Sequence, residues 1–177
     1  MNMPVKSIAQ NIRMLVLDVD GVLTDAGLYL DGAGNELKRF NAQDGLGIKI
    51  LLRMGIHVGV ITGLKSKAVQ ARMNALGVID YAEGVEHKLR TLDAMRQKYN
   101  LTWQEIAYVG DDWIDLAPLH KVGLPIAVAN AQKEVKDIAS YVTTAPGGHG
   151  AVREVVRLLL DAQGRLNEAL SYWTKML

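Results

Sequence analysis

The sequence contains no cysteine, which excludes disulfides and thiolate metal sites and suits a reducing compartment. It has no excess of either charge: 20 Lys plus Arg stand against 19 Asp plus Glu. With no basic run or arginine-rich helix, there is no electrostatic footprint for nucleic acid. Long apolar runs are missing as well. The longest, such as Met14-Leu15-Val16-Leu17, are far too short for a bilayer span. The stretch before it carries Lys6 and Arg13 but no sustained apolar segment for a signal peptide. A cytoplasmic protein without membrane or nucleic-acid partners is expected. There is no internal repeat, low-complexity tract or linker, so residues 1–177 are expected to form one domain.

What is present is a regular alternation. Short apolar runs at Met14 to Val19, His57 to Ile61, Ile106 to Val109, Ile126 to Ala129 and Tyr141 to Thr143 read as strands buried on both faces. Between them lie segments with helical spacing. Leu46, Ile50 and Leu51 share one face, as do Val69, Met73 and Leu76. Glu86 to Tyr99, Asp115 to Lys121, Lys133 to Ser140 and Ala151 to Gln163 read as further helices, and Thr102-Trp103-Gln104-Glu105 has the form of a capping box. This alternation predicts an α/β fold with a doubly wound, Rossmann-like parallel sheet. One stretch breaks the rhythm. Residues 26–41, with the Gly-rich turn Asp31-Gly32-Ala33-Gly34-Asn35, read as a β-hairpin inserted after the first strand. It should project from the carboxyl edge of the sheet. Residues 164–177 form a C-terminal tail that includes Trp173.

Open α/β sheets bind ligands beyond the carboxyl ends of their strands. Three predicted strands run into polar clusters there: Asp18-Val19-Asp20-Gly21-Val22-Leu23-Thr24-Asp25, Thr62-Gly63, and Gly110-Asp111-Asp112-Trp113-Ile114-Asp115. Any one of them could be turn residues and helix caps. Their convergence on one edge favours a site. Gathered carboxylates repel unless a cation sits among them, and oxygen ligands without Cys or His select magnesium. Such a metal would orient and charge-balance a phosphate. Lys88 could hold a phosphate oxygen or a carboxylate, while Thr62 offers a hydroxyl and, with Gly63, backbone N–H groups.

The ordered set Asp18-x-Asp20-Gly21-Val22-Leu23-Thr24-Asp25, Thr62, Lys88 and Gly110-Asp111-Asp112-x-x-Asp115 resembles the four motifs of the haloacid dehalogenase superfamily. The resemblance implies that Asp18 is a nucleophile forming an aspartyl-phosphate. It makes Asp20 the acid that protonates the leaving alcohol and then the base that activates water. Thr62 and Lys88 would bind the phosphoryl group. Mg2+ would be held by Asp18, Asp20 (through its backbone carbonyl) and Asp111, with Asp112 and Asp115 orienting the ligands. A short hairpin in place of a full cap domain, together with Phe40-Asn41-Ala42-Gln43-Asp44-Gly45-Leu46-Gly47 and Gly147-Gly148-His149-Gly150-Ala151-Val152-Arg153-Glu154, narrows the resemblance. It points to the capless phosphatases of 3-deoxy-D-manno-octulosonate 8-phosphate (Kdo 8-phosphate), which serve lipopolysaccharide biosynthesis.

That family implies a homotetramer whose hairpins meet at the centre. It also implies substrate contacts from Asp20, Asn41, Ala42, Gln43, Asp44, Gly45, Lys49, Gly63, Arg72 and Lys88. One position departs from it. The family usually has Arg where this chain has Leu64, and Leu cannot make a charge-assisted hydrogen bond to a sugar acid. Phosphatases of nine-carbon sugar-acid phosphates therefore stay in play. Three other classes fit less well. A receiver-like signalling domain has its acidic pair adjacent at the first strand and its acceptor Asp on a later one. An idle scaffold would be expected to lose Asp18 or Asp20. A phosphoserine-type phosphatase needs a larger cap between Asp25 and Thr62. His57 is expected to be packed, His87 and His120 to lie on the surface, and His149 sits in a loop able to reach a ligand.

Overall fold

Met14–Leu17 (β1) is four apolar residues long, all of them buried. A computed structural model, describing residues 3–174, places this strand at the centre of a parallel sheet. On one side it pairs with β4 (His57–Ile61), matching Leu17 with Val60, and on the other with β6 (Ile106–Gly110), matching Leu17 with Val109. The sheet extends to β5 (Asp80–Ala82) beyond β4, and to β7 (Leu124–Ala127) and β8 (Tyr141–Val142) beyond β6. The chain thus winds outward in both directions from β1. The carboxyl ends of β1, β4 and β6 lie side by side at the point where the strand order reverses, the place such folds offer to a ligand.

The helices are α1 (Met3–Ala9), α2 (Ala42–Arg53), α3 (Lys67–Leu76), α4 (Lys88–Lys98), α5 (Leu116–Leu119), α6 (Lys133–Ile138), α7 (Ala151–Ala162) and α8 (Leu166–Thr174). Helix α7 packs against α1, α2 and α8, while α5 packs against α4 and α6. α7 buries Val152, Val155, Val156 and Leu159 together with Ile48 and Leu51 of α2 in the core. Thr102 and Glu105 form the expected capping box, opening a single 3-10 turn at Trp103–Glu105.

Several elements differ from expectation. Helix α1 and strand β5 had no strong pattern, being seven and three residues long. β5 follows Ile79 with Asp80-Tyr81-Ala82, which is no apolar run. Strand β7 begins two residues earlier than expected and contains Pro125, a residue that suggests a strand boundary because it has no N–H to donate. The helix expected from Asp115 to Lys121 is instead a 3-10 turn, Trp113–Asp115, followed by α5, which contains Pro118. The tail is not loose through Thr174. It forms α8, with Ala169 buried and the Arg53 guanidinium 3.8 Å from the centre of the Tyr172 ring. Trp173 stays half exposed, and positions 175–177 of the tail lie outside the described residues.

The inserted hairpin is present as β2 (Tyr29–Leu30) and β3 (Glu36–Leu37). Its turn is tied by the Asp31 carboxylate, which accepts from the N–H groups of Ala33 and Asn35, both at 2.8 Å. At its base Thr24 pairs with Phe40 across an antiparallel bridge. The Tyr29 hydroxyl donates to Asp25 at 3.0 Å, and Arg39 reaches both Asp25 and the Gly148 carbonyl. The hairpin is therefore fixed at its root to the loop that follows β1.

After the hairpin, the Asn41 side chain caps α2 by accepting from Gln43 N (2.7 Å) and Asp44 N (3.2 Å). Asp44 is buried and does the same for α7, accepting from Arg153 N at 2.7 Å and Gly150 N at 3.2 Å. One carboxylate thus locks two helices together through N–H groups that helix ends otherwise leave unpaired. Asp44→Ala should lower the unfolding free energy by about 2 kcal/mol, the cost of stranding buried donors. Urea denaturation measures it, and an unchanged midpoint would contradict this role.

Candidate active site

The strand β1 ends at Leu17, so Asp18 is the first residue past the sheet, although its N–H still donates to Val109 O at 3.1 Å. The chain then turns sharply. The Val19 carbonyl accepts from the N–H groups of Val22, Leu23 and Thr24, which separates the directions of Asp18 and Asp20. The turn requires Gly21. It has φ +87°, and a Cβ there would lie 2.0 Å from Asp111 Oδ2. The Gly147–Gly150 loop braces the same turn from behind: Gly148 N donates to Val22 O at 3.0 Å, and a Cβ on Gly147 would strike the Gly21 carbonyl at 1.6 Å. His149 is exposed, with Nε2 3.3 Å from Arg39.

Lys88, the first residue of α4, is buried, and its ammonium meets two carboxylates, Asp18 at 2.6 Å and Asp115 at 2.8 Å. Burial works against its charge, but Asp18 and Asp115 outweigh that and hold its pKa above the usual value. Asp115 is fully buried in the 3-10 turn after β6. It accepts from the Tyr108 hydroxyl at 2.7 Å and, through Oδ2, from the Asp111 N–H at 3.0 Å. Asp112 caps that turn, accepting from Trp113 N at 2.7 Å, and is itself exposed.

Carboxylate oxygens of Asp18, Asp111 and Asp115 all lie within 4.8 Å of one another. Burial, then the Asp115 charge, raises the Asp18 pKa to about 7 against the pull of Lys88. Burial and the charges of Asp18, Asp115 and Asp112 raise that of Asp111 to about 8. Asp111 Oδ1 is buried without a hydrogen-bond partner. An orphaned buried acceptor beside two more carboxylates fits a hard cation, and the all-oxygen donor set fits Mg2+.

These groups face an open cleft of ≈ 590 Å³ lined by Asp18, Asp20, Thr62, Gly63, Leu64, Lys88, Asp111, Asp112 and Ile114. Five of the positions expected to carry the reaction, Asp18, Asp20, Thr62, Lys88 and Asp111, are therefore brought together. Thr62 departs in one detail. Its N–H is taken by Ala82 O at 3.0 Å, so it can offer a phosphate its hydroxyl but not that N–H. Leu64 forms part of the cleft wall and is 55% exposed. Lys65 precedes α3, and its aliphatic stem lies over Gly84.

Most of the residues expected to contact the sugar are not gathered here. Asn41, Asp44, Gly45 and Arg72 line a separate shallow depression. Asn41 and Asp44 are engaged as helix caps, and Arg72 donates to Asn41 O at 3.2 Å above Gly45. Ala42, Gln43 and Lys49 are exposed on α2. In a single chain these positions lie on or beside α2 and on α3, outside the cleft. Among the histidines, His57 is half-buried and stacked on Tyr99 with ring centres 3.7 Å apart, while His87 and His120 are exposed, as expected.

Two participants were missed from the sequence. Tyr108 is the one polar side chain in an otherwise apolar strand, a signal that was available. Lys38 follows β3, and its ammonium pairs with both Asp20 and Glu36. The alternation Glu36-Leu37-Lys38 already put two charges on one face of the hairpin's return strand.

The family model for haloacid dehalogenase-like hydrolases matches residues 60–155. The 3-deoxy-D-manno-octulosonate 8-phosphate phosphatase of Salmonella typhi is 48% identical over 91% of this chain and 86% of its own. Among solved structures, the phosphatase of that name from Yersinia pestis superposes with TM-score 0.92 at 41% identity, covering 93% of this chain and 89% of its own. The Moraxella catarrhalis phosphatase, solved with magnesium, phosphate and KDO, has TM-score 0.94 at 34% identity and covers 98% of this chain and 99% of its own.

Because metal binding needs the ionised carboxylates, Mg2+ must displace protons from this cluster. Apparent Mg2+ affinity should therefore climb between about pH 6 and 9, through the range in which Asp18 and Asp111 lose their protons. Calorimetric titration in two buffers of different ionisation enthalpy measures the released protons. A pH-independent affinity with no proton release would contradict this electrostatic picture.

Proposed function

The chain belongs to the haloacid dehalogenase-like hydrolases, and from that premise we propose that its cleft hydrolyses Kdo 8-phosphate to Kdo and phosphate. It is a magnesium-dependent phosphomonoester hydrolase. The observation that carries the reaction is the buried Asp18, held by Lys88 at 2.6 Å beside Asp111 and opening onto the cleft with Asp20 next to it.

The steps follow from these positions. An Asp18 carboxylate oxygen attacks phosphorus, and the bond from phosphorus to the sugar oxygen breaks as Asp20 passes its proton to that oxygen. Asp20 then takes a proton from a water that attacks the phosphorus of the aspartyl-phosphate, releasing phosphate and restoring Asp18. Lys88 keeps Asp18 aimed at the cleft and offsets charge as the dianion approaches. Asp18, Asp111 and the Asp20 backbone carbonyl would hold Mg2+, which when bound would supply the remaining charge neutralisation. Asp115 orients Lys88 and the Asp111 backbone, and the Thr62 hydroxyl and the Gly63 N–H serve the phosphoryl oxygens.

Recognition of the sugar acid belongs to the same proposal. Asn41 to Gly45, Lys49 and Arg72 are assigned to the cleft of a neighbouring copy in a homotetramer. Support comes from the hairpin, whose Leu28, Leu30 and Leu37 are each at least 65% exposed, an apolar surface that invites burial. Among the described residues no helix is long and apolar enough to cross a membrane, and a cytoplasmic place in lipopolysaccharide biosynthesis is part of this reading. Leu64 in the cleft wall favours keeping a nine-carbon sugar-acid 9-phosphate as the second candidate substrate.

Phosphate release with magnesium and with EDTA, across Kdo 8-phosphate, a nine-carbon 9-phosphate, phosphoserine and p-nitrophenyl phosphate, tests the assignment. Magnesium-dependent turnover should concentrate on Kdo 8-phosphate, and no release from any ester would sink it. Asp18→Asn and Asp20→Asn should each abolish turnover with the fold intact, while Leu64→Arg should lower KM for the sugar-acid phosphate. Light scattering on the eluting protein should give the mass of four chains. A monomer at assay concentration would remove the shared-cleft proposal.

A further inference from the structure

The hairpin sends one side chain inward, toward the cleft. Lys38 lies just past β3, and its side chain is 1% exposed. Its ammonium pairs with Asp20 Oδ1 and, at 2.6 Å, with Glu36 Oε1. The Ser66 hydroxyl faces Glu36 from the start of α3. Lys38 cannot drift, because the strand carrying it is fastened on both sides. Thr24 pairs with Phe40, and Arg39 holds Asp25 and the Gly148 carbonyl at 3.4 and 3.3 Å. Asp20, by contrast, sits on the turn with a side chain 30% exposed, and its Oδ1 is taken by Lys38.

We infer that Lys38 is a positioning residue for the reaction: it pins Asp20 through Oδ1, so that Oδ2 is the oxygen that carries the proton to and from the leaving group. The inference rests on Asp20 being the acid of the proposed reaction. Proton transfer depends on geometry, and a misplacement of about 1 Å costs on the order of 100-fold. A flexible carboxylate on a turn would lose part of that. An ammonium anchored on a tethered strand restores it at no cost in access, since Lys38 approaches from the hairpin side and leaves the cleft open. Glu36 holds the far side of the ammonium, so Lys38 stays in place when Asp20 changes protonation state.

The test separates positioning from binding and from folding. Substituted phenyl phosphates vary the acidity of the leaving group at nearly constant shape, and kcat/KM reports steps only up to its departure. A good leaving group such as p-nitrophenolate needs no acid, while phenolate does. With Lys38→Met, kcat/KM on phenyl phosphate should fall about tenfold more than on p-nitrophenyl phosphate, and Lys38→Arg should regain most of the difference. Equal losses on both esters, a rise in KM alone, or no loss would overturn the inference. Should Lys38→Met not fold, the neutral and polar Lys38→Gln, which removes the ion pair, carries the same comparison. Asp20→Asn distinguishes the two levels. It is expected to be inactive; if instead it turns over with the leaving-group dependence of the wild type, Asp20 is not the acid and the reading beneath the inference fails, whatever Lys38 does.

Discussion

A single buried ammonium holds the site together. Lys88 lies between Asp18 and Asp115, with 2.6 and 2.8 Å contacts and no exposed surface on its side chain. Without it, Asp18, Asp111 and Asp115 would crowd like charges into a space less than 4.8 Å across. Breaking such a buried pair costs about 3–5 kcal/mol, so the geometry of Lys88 constrains everything around it. Helix α4 has to begin where it does for its first side chain to reach under the end of β1. Asp115 has to leave the 3-10 turn toward Tyr108. Asp111 lies outside that pair, and its orphaned Oδ1 is the point a divalent cation would satisfy.

Around that pair the packing leaves almost no steric freedom. The β1 turn and the β6 turn approach each other so closely that residue 21 must lack a side chain, and residue 147 must lack one for the bracing loop to pass behind. In sequence, Gly147-Gly148-His149-Gly150 looked like a flexible loop with a histidine to offer. In the structure Gly147 and Gly148 pack against the turn that carries Asp18 and Asp20, and His149 lies beside Arg39 at the surface. Asp44 carries a structural duty too: its carboxylate caps α7, alongside the substrate contact proposed for it in an assembled cleft.

Much of the fold was legible because buried parallel strands and amphipathic helices each leave a periodic signature. β1, β4 and β6 were readable from apolar runs, α7 from its apolar face, and the hairpin from its Gly-rich turn. What escaped were elements whose stability comes from context. β5 is a three-residue edge strand and α1 a short helix held on α7, and neither buries a long run of its own. The carboxylates and Thr62 were legible in the same way, since strand ends project to one edge. Lys38 was not singled out because its partner is remote, Asp20 being 18 positions away across the hairpin, and Tyr108 because a tyrosine in a buried strand reads as packing until its hydroxyl is seen on Asp115. Lys88 was found through its place in the ordered motifs, but its two carboxylate partners became visible only in three dimensions.

The hairpin stands where a larger cap domain could sit. A cap domain would cover the cleft with its own core. Sixteen or so inserted residues cannot bury one, and their apolar side chains, Leu28, Leu30 and Leu37, face outward. The insertion therefore has two faces with different tasks. Its inner face carries Lys38 to Asp20 with Glu36 behind the ammonium, and its outer face leaves three leucines exposed. Because the root is tied by Asp25, Tyr29, Arg39 and Phe40, a load on the outer face is transmitted to the same short strand that positions the inner one. In the homotetramer we propose, assembly would be coupled to the placement of Asp20 through a strand two residues long.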